Sequence, residues 1–418
     1  MRALGADQYG VYVVAYVVPR TVVSLGSLGV GPAIVYFFNR DRLPVSSVFL
    51  TMSVLGLGLG VLYYAVWMLM GEALESTYFQ GGVPREYLDV SMLLAPVMII
   101  QKYVRHLVRA TYQIRTYAIV IFVFSGAVRL LLVVVILYLF SLGLAGLIWV
   151  PVITAATVIG ALISVIRKDI AQGFKERHFF LKPRQVGGFL SFGLQNHLGG
   201  TIQRGHDQLP VLIMTGVLEP AMIGYYSLGW KVINTLAGAF SSVGVVLSPK
   251  VARSSMEQIR VFFPQLLRLM LAGGLALGGL TMLALPIMIV ALYGREFTPV
   301  IAIGWIFTPG VIALYCALSV MVVFSQTGRP IVKSYIRALG LVVSLGLFFP
   351  LLPTAGALGG AVAVSAGYVA MLLVGVILAS RHLNVPLIDL VVPKAGDLTQ
   401  VRGAIQTGVD TVTAFMRK

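Results

Sequence analysis

The second half of this chain repeats the first at an offset of 214 positions, then 213. Leu4, Gly10, Tyr12, Thr21 and Ser27 recur as Leu218, Gly224, Tyr226, Thr235 and Ser241. Farther along, Pro96 and Gln113 return as Pro309 and Gln326, and Gly143 and Gly146 as Gly356 and Gly359. No single pair carries weight, but separate regions agreeing on nearly one offset do. The repetition predicts two pseudo-equivalent lobes.

The repeated unit is made of membrane helices. Of the 418 residues 58% are hydrophobic and only 11% charged, with a mean hydropathy of +0.92, where a soluble domain carries roughly 25% charged residues. Apolar runs of about 20 residues recur along the chain. Lipid offers the backbone no hydrogen bonds, and no barrel-like alternation is present, so the spans are helices. Eleven are predicted, at 9–38, 46–70, 88–110, 117–140, 143–166, 187–215, 221–248, 263–293, 298–325, 331–352 and 356–380. The first exceeds a straight crossing and should tilt, break or extend beyond the bilayer. Pro19, Gly31-Pro32, Pro96, Pro286 and Pro309 are expected kink points. Parallel repeats of membrane helices are a build of alternating-access transporters, with the substrate site between the halves. Cys316 is the single cysteine, which excludes an intrachain disulfide and a cysteine metal site.

The net charge of +16 reads as topology. Counting helix ends with their loops, one set of loops and the C-terminal tail hold 23 Lys/Arg and 7 acids, the opposite set 3 and 7. The basic set is expected to be cytoplasmic, with its excess drawn to anionic lipid rather than to nucleic acid. The N-terminus is then outside and the C-terminus inside, with five spans in the first half and six in the second. The chain opens on a polar turn rather than a basic n-region, so no cleavable signal peptide is expected. The unmatched segment is 187–215, whose counterpart would precede Met1. A missing first helix is therefore expected, by truncation or a misassigned start; the rival is a true odd-numbered protein. The expected division is an N-terminal lobe at 1–166, a basic cytoplasmic linker at 167–186, a C-terminal lobe at 187–381 and a cytoplasmic tail at 382–418. In that tail Leu398, Val401, Ile405, Val409, Val412 and Phe415 form an amphipathic stripe suited to the membrane face.

Apart from the helix-end charges counted with the loops, five cations fall inside predicted spans, Arg20, Arg129, Arg204, Lys231 and Arg268, against one acid, Asp207. A charge at mid-bilayer costs roughly 2.5–3.5 kcal/mol on insertion scales, so such groups face a partner or a wet cavity. Arg204 and Asp207, three apart, share a helical face and form a candidate pair. Arg20 and Lys231 lie within three residues of equivalence in the repeat, which favours a shared cationic site. For Arg129 cavity lining and helix packing both stay open. Arg268, near a helix end, is expected to snorkel to headgroups. Lys102, Arg105 and Arg109 make a stripe that reads either as solvated topology signal or as an entry zone for an anionic headgroup. Gln195-Asn196-His197 and Gln203-Arg204-Gly205-His206-Asp207-Gln208 are polar enough to imply a wet helix face. His206 beside Asp207 is a candidate ion-coupling pair, with a structural polar contact as the equal alternative.

The opening Leu4-Gly5-Ala6-Asp7-Gln8-Tyr9-Gly10-Val11-Tyr12 resembles the Leu-Gly-x-x-x-Tyr/Phe-Gly-x-Tyr signature of Wzx-like polysaccharide or oligosaccharide flippases. These belong to the multidrug/oligosaccharidyl-lipid/polysaccharide (MOP) exporter superfamily. Gly224-Tyr225-Tyr226 through Ser248-Pro249-Lys250, Gln326-Thr327-Gly328-Arg329-Pro330 and Gly356-Ala357-Leu358-Gly359-Gly360-Ala361 are similar to its later elements, in the same order. The resemblance implies an all-α integral membrane fold of two six-helix lobes in a MATE-like V around a cationic cavity. The cargo would be a polyprenyl-diphosphate-linked oligosaccharide, moved from the cytoplasmic to the outer leaflet of a prokaryotic cell membrane. Arg20, Arg204 and Lys231 fall on the helices that carry cavity cations in that family. The departure is the absent first helix.

A lipid diphosphate suits Arg, which binds its oxygens through paired donors. A multidrug cation exporter of the same superfamily would need intramembrane acids, yet Asp207 stands alone. A membrane glycosyltransferase or ligase would need a catalytic set in a sizeable outer loop; 71–87, with Glu72, Glu75 and Glu86, lacks one. No cofactor is expected, a proton or sodium gradient being the energy source in view, and there is no P-loop. The expected partners are the lipid-linked substrate, the membrane and polysaccharide polymerase or assembly proteins.

Overall fold

A computed structural model describes residues 2, 4–79, 82–111 and 113–394, apart from some side chains within helices, those of 195–201, Gln203 and Arg204 among them. The amphipathic tail stripe, Arg204 and Gln195-Asn196-His197 therefore lie outside the described residues or side chains. All eleven predicted spans are helical, and every regular element among the described residues is a helix. Eight helical segments among those residues are long and apolar enough to cross a membrane. The protein is a multi-pass membrane protein. The chain divides into two compact units, Met1–Ser227 and Leu228–Lys418.

In the first unit the long first span breaks into α1 (Gly5–Gly26) and α2 (Val30–Asp41). The break is a left-handed pair, Leu28 at φ 50° and Gly29 at φ 64°. Pro32 sits in the first turn of α2, where its missing N–H breaks no intrahelical bond. Ser27, fully buried, anchors the break. Its Oγ accepts from Lys102 Nζ at 2.5 Å, and its carbonyl accepts from the Tyr103 hydroxyl at 3.0 Å. Both donors come from α5 (Leu94–Ala110), which continues α4 (Arg85–Met92). Ile99 and Val104 of α5 form the core with Val48 and Met52 of α3 (Val45–Leu74) and Val158, Leu162 and Ile166 of α9 (Val150–Lys175).

The fourth span is built differently. α6 (Ile114–Phe122) and α7 (Arg129–Val134) are each followed by a π-helical turn, at Val123–Val128 and Val135–Leu139. α8 (Gly143–Leu147) then leads into α9. α10 (Pro183–Thr215) is long enough to cross a membrane, but its polar run keeps it outside the eight apolar segments. It packs within the first unit, where Phe189 lies 5.0 Å from Phe37 and Phe192 stacks on Tyr36 at 4.8 Å between ring centres. α11 (Pro220–Leu236) begins in this unit and crosses α1. Gly224 there approaches Gly10, its own counterpart in the repeat, and a Cβ on Gly10 would collide with the Pro220 carbonyl. Backbones this close admit only glycine.

The second unit holds the rest of α11, then α12 (Ser241–Arg253), α13 (Met256–Tyr293), α14 (Pro299–Gln326), α15 (Pro330–Leu383) and α16 (Leu387–Val391). α15 contains two predicted spans joined at Gly356, whose φ 54°, ψ −133° is open only to glycine. Its repeat partner Gly143 has φ 56° at the start of α8. The second glycine of each pair is also required. A Cβ on Gly359 would strike the Leu351 carbonyl, and one on Gly146 would sit 2.6 Å from Leu142 Cβ.

Arg268 differs from expectation. It does not snorkel to headgroups: it is 7% exposed on α13, and its Nη1 donates to the Asp389 carbonyl in α16. α16 folds back over it and supplies the acceptor a buried guanidinium requires. The Asp389 carboxylate pairs instead with Lys394 at 2.7 Å.

Candidate functional site: an arginine-lined cavity

Within the first unit, α1, α5, α6–α7 and the α8–α9 span enclose a cavity of about 290 Å³. α1 contributes Tyr16 and Arg20, one turn apart on one face. The Tyr16 hydroxyl donates to the Ile148 carbonyl, which fixes the ring. The Arg20 guanidinium lies 5.8 Å from the Tyr16 ring centre, within cation–π range. α5 contributes Leu94, Met98, Gln101 and Arg105, a stripe at helical spacing. Gln101 Nε2 donates to the Ala155 carbonyl at 3.3 Å, and Arg105 Nη2 to Ser125 Oγ at 3.2 Å. The π-turn at Val123–Val128 brings Ser125 and Arg129 to the same wall. Arg129 Nη2 donates to the Tyr12 hydroxyl at 3.3 Å, and Tyr12 rests against Tyr16 at 4.7 Å.

Three guanidiniums thus share one chamber, and its described lining contains no carboxylate. Arginine stays charged in proteins, so the three repel one another unless water or an anion screens them. Two further polar atoms, Arg105 Nε and Thr154 Oγ1, are buried and make no hydrogen bond among the described residues. Such groups are ordinarily paired. The chamber can therefore receive an acceptor-rich anion. Its volume is near the lower end of small-molecule sites, roughly 300–1,000 Å³.

The structure brings Arg20, Arg105 and Arg129 together and sends the other candidates elsewhere. Lys102 binds Ser27 at the α1–α2 break, and exposed Arg109 lies 5.9 Å from the Tyr117 ring centre. Lys231 is exposed on α11 and is not among the residues lining this cavity. On α10, His206 is buried and its neighbour Asp207 exposed, since adjacent helical residues point about 100° apart. Sequence reasoning did not single out Tyr16, Gln101, Ser125 or Thr154. The α5 spacing from Leu94 to Arg105 was the one signal available for Gln101.

The second unit carries the same positions with different contents. Tyr16, Leu94 and Ala155, a small buried cluster by the cavity, correspond through the repeat to Trp230, Phe307 and Tyr368. Those three rings pack together, Trp230 lying 5.3 Å from Phe307 and 5.6 Å from Tyr368. Arg20 corresponds to Asn234, which accepts from the Tyr315 hydroxyl at 3.1 Å, and Arg105 and Arg129 to Leu318 and Val342. Larger rings occupy what is hollow in the first copy, and the charges are gone.

The family described as polysaccharide biosynthesis protein matches residues 1–302, a stretch that includes this whole cavity. The chain belongs to that family. No curated protein sequence matches the chain, but solved structures do. An inward-facing multidrug resistance MATE family transporter of the MOP superfamily superposes with a TM-score of 0.78 at 13% identity, over 91% of each chain. Lipid II flippase MurJ in an inward closed conformation gives 0.69 at 14% identity, over 93% of this chain and 83% of its own. A MOP superfamily transporter from Pyrococcus furiosus, described as having a binding pocket of reverse polarity that suggests a different function, gives 0.61 at 13% identity. It is matched over 90% of this chain and 88% of its own. The chain therefore has the MOP-superfamily transporter fold, as the sequence motifs led one to expect.

Proposed function

We propose that this protein is a flippase for a polyprenyl-diphosphate-linked oligosaccharide, carrying it from the cytoplasmic to the outer leaflet for surface polysaccharide synthesis. The observation that carries this reading is the convergence of Arg20, Arg105 and Arg129 on one cavity with no described lining carboxylate. A diphosphate presents several anionic oxygens, and guanidiniums match them with paired, charge-assisted bonds. The polar head cannot cross hydrocarbon unaided, whereas the prenyl tail can remain in lipid while the head passes. A cationic drug would be repelled by the same wall.

In this reading the basic loops lie in the cytoplasm of a prokaryotic cell, and Arg204 and Lys231 are further candidate cations for the substrate. His206 and Asp207 are the candidate site for coupling to a proton or sodium gradient. Rocking of one repeat against the other supplies alternating access. Polymerase and assembly proteins of the polysaccharide would receive the product.

The test is reconstitution of the full chain into liposomes carrying a fluorescent undecaprenyl-diphosphate oligosaccharide. Quenching from outside should reveal protein-dependent movement of label between leaflets. Equal leaflet exchange in protein-free liposomes, or movement of cationic dyes in its place, would overturn the proposal.

A further inference from the structure

The fourth span, α6–α7, is attached to the first unit in an unusual way. Only 6% of its most apolar stretch is buried, against 22–67% for the other apolar spans. Phe122, Leu130, Leu131 and Tyr138 are exposed and suited to lipid. Among the described residues its polar side-chain ties to other helices are arginine contacts. Near its start Arg109 of α5 lies against the Tyr117 ring. Farther along, Arg105 donates to its Ser125 at 3.2 Å, and its own Arg129 donates to Tyr12 of α1 at 3.3 Å.

The last two contacts use cavity cations, and each ends on a neutral hydroxyl. We infer that α6–α7 is a lateral gate of the cavity, latched by Ser125 and Tyr12 as stand-in ligands that an entering diphosphate displaces. This rests on the flippase reading given above. A neutral hydroxyl is a weaker acceptor for a guanidinium than an anionic phosphate oxygen, which also accepts paired donors. Arg105 also has its buried Nε uncommitted, so phosphate can engage it through more than the Ser125 bond. Once both arginines turn to phosphate, the middle of α6–α7 loses its two latches.

The other restraint is apolar packing: Tyr117, Val120, Ile121 and Phe124 lie against the core of the first unit, and Leu132, Val133, Ile136 and Leu137 group with Leu144, Leu147 and Ile148. Between helices in lipid there is no hydrophobic driving force, because acyl chains are as apolar as side chains. The π-turns at Val123–Val128 and Val135–Leu139 interrupt the regular hydrogen-bond ladder and give the span two places to bend. The short connection to α5 with the Arg109–Tyr117 contact holds one end, and the Ile136 packing beside α8 holds the other, so the span bows between them. The opening faces the bilayer, where a prenyl tail would remain while its diphosphate occupies the cavity. Ser125 and Tyr12 are thereby positioning residues: they hold the arginines aimed, and yield to substrate.

The experiment compares full-length wild type, Ser125→Ala, Tyr12→Phe and the double variant in lipid nanodiscs, with undecaprenyl diphosphate as probe. Binding is titrated, and deuterium exchange is followed over residues 115–139. Removing a competing hydrogen bond should tighten binding by about 2- to 10-fold per latch. Exchange in that segment should rise on adding the probe to wild type, and should already be raised in the double variant without it. Binding unchanged or weakened in both single variants, or no rise in exchange on binding, overturns the gate while leaving the flippase reading intact. A wild type that binds no diphosphate removes that reading, and the gate with it.

Discussion

A chain in which Arg105 and Arg129 are both glutamine binds undecaprenyl diphosphate at least about 100-fold more weakly than wild type. A hydrogen bond to a charged group contributes about 1.5–3 kcal/mol, and each 1.4 kcal/mol is a factor of ten in affinity. Two such losses give at least about 3 kcal/mol even before the shared electrostatic field weakens. Glutamine keeps a donor for Ser125 and Tyr12, so the local contacts at 3.2 and 3.3 Å have a replacement. Removing two of three like charges from a chamber without a described lining carboxylate also relieves repulsion, so thermal stability in detergent should hold or rise. Lysine at the same positions should recover part of the binding, because it supplies the charge without the paired donors. Titration in nanodiscs beside a melting curve checks all three expectations. Loss of binding together with loss of stability would mean that these arginines serve packing instead.

The opposite signature is expected in the second unit. Trp230→Ala should lower stability by about 3–5 kcal/mol, the range for removing a large core aromatic, while diphosphate affinity stays within about twofold. Trp230 bridges Phe307 and Tyr368, and both of those rings are almost wholly buried. With the indole gone, Phe307 and Tyr368 lose their common partner and a void is left where the first unit has a cavity. A hollow of about 20 Å³ already present in that unit, lined by Ile233, Phe240 and Ile312 among others, is little more than room for one water. Thermal unfolding of the variant, with binding measured on the same preparation, separates a filler from a ligand group. A Trp230→Ala protein that is fully stable but cannot bind would place a substrate contact in the second unit.

How far these features were legible varies by element. Spans follow from apolar length, whereas the break in the first span falls at Leu28-Gly29, ahead of the expected Gly31-Pro32 pair. Two turns follow from the Gly143–Gly146 and Gly356–Gly359 motifs, whose first members both adopt positive φ. The repeat itself explains why those glycines recur, since each copy makes the same turn. The direction of long cations was not legible. Lys102, Arg105 and Arg109 form one stripe in the sequence, yet they end on Ser27, Ser125 and the Tyr117 ring. Helical spacing fixes where a Cβ points, but a flexible stem lets the charged end follow whatever acceptor another helix offers. Arg268 failed for the same reason: its acceptor, the Asp389 carbonyl, is 121 positions away. The π-turns, Val-Phe-Ser-Gly-Ala-Val at 123–128 and Val-Ile-Leu-Tyr-Leu at 135–139, carry no proline or other break signal that separates them from ordinary helix. The aromatic filling of the second copy emerges only when the offset is applied residue by residue.

The most direct measurement is photolabelling of the full chain in nanodiscs by a polyprenyl diphosphate carrying a photoreactive group beside the phosphates, followed by peptide mapping. Labels should fall on α1, α5 and α6–α7, around Arg20, Arg105 and Arg129, and unlabelled undecaprenyl diphosphate should suppress them. Labelling that instead concentrates around Trp230, Phe307 and Tyr368, or that unlabelled diphosphate does not suppress, would contradict an anion site built into the first unit.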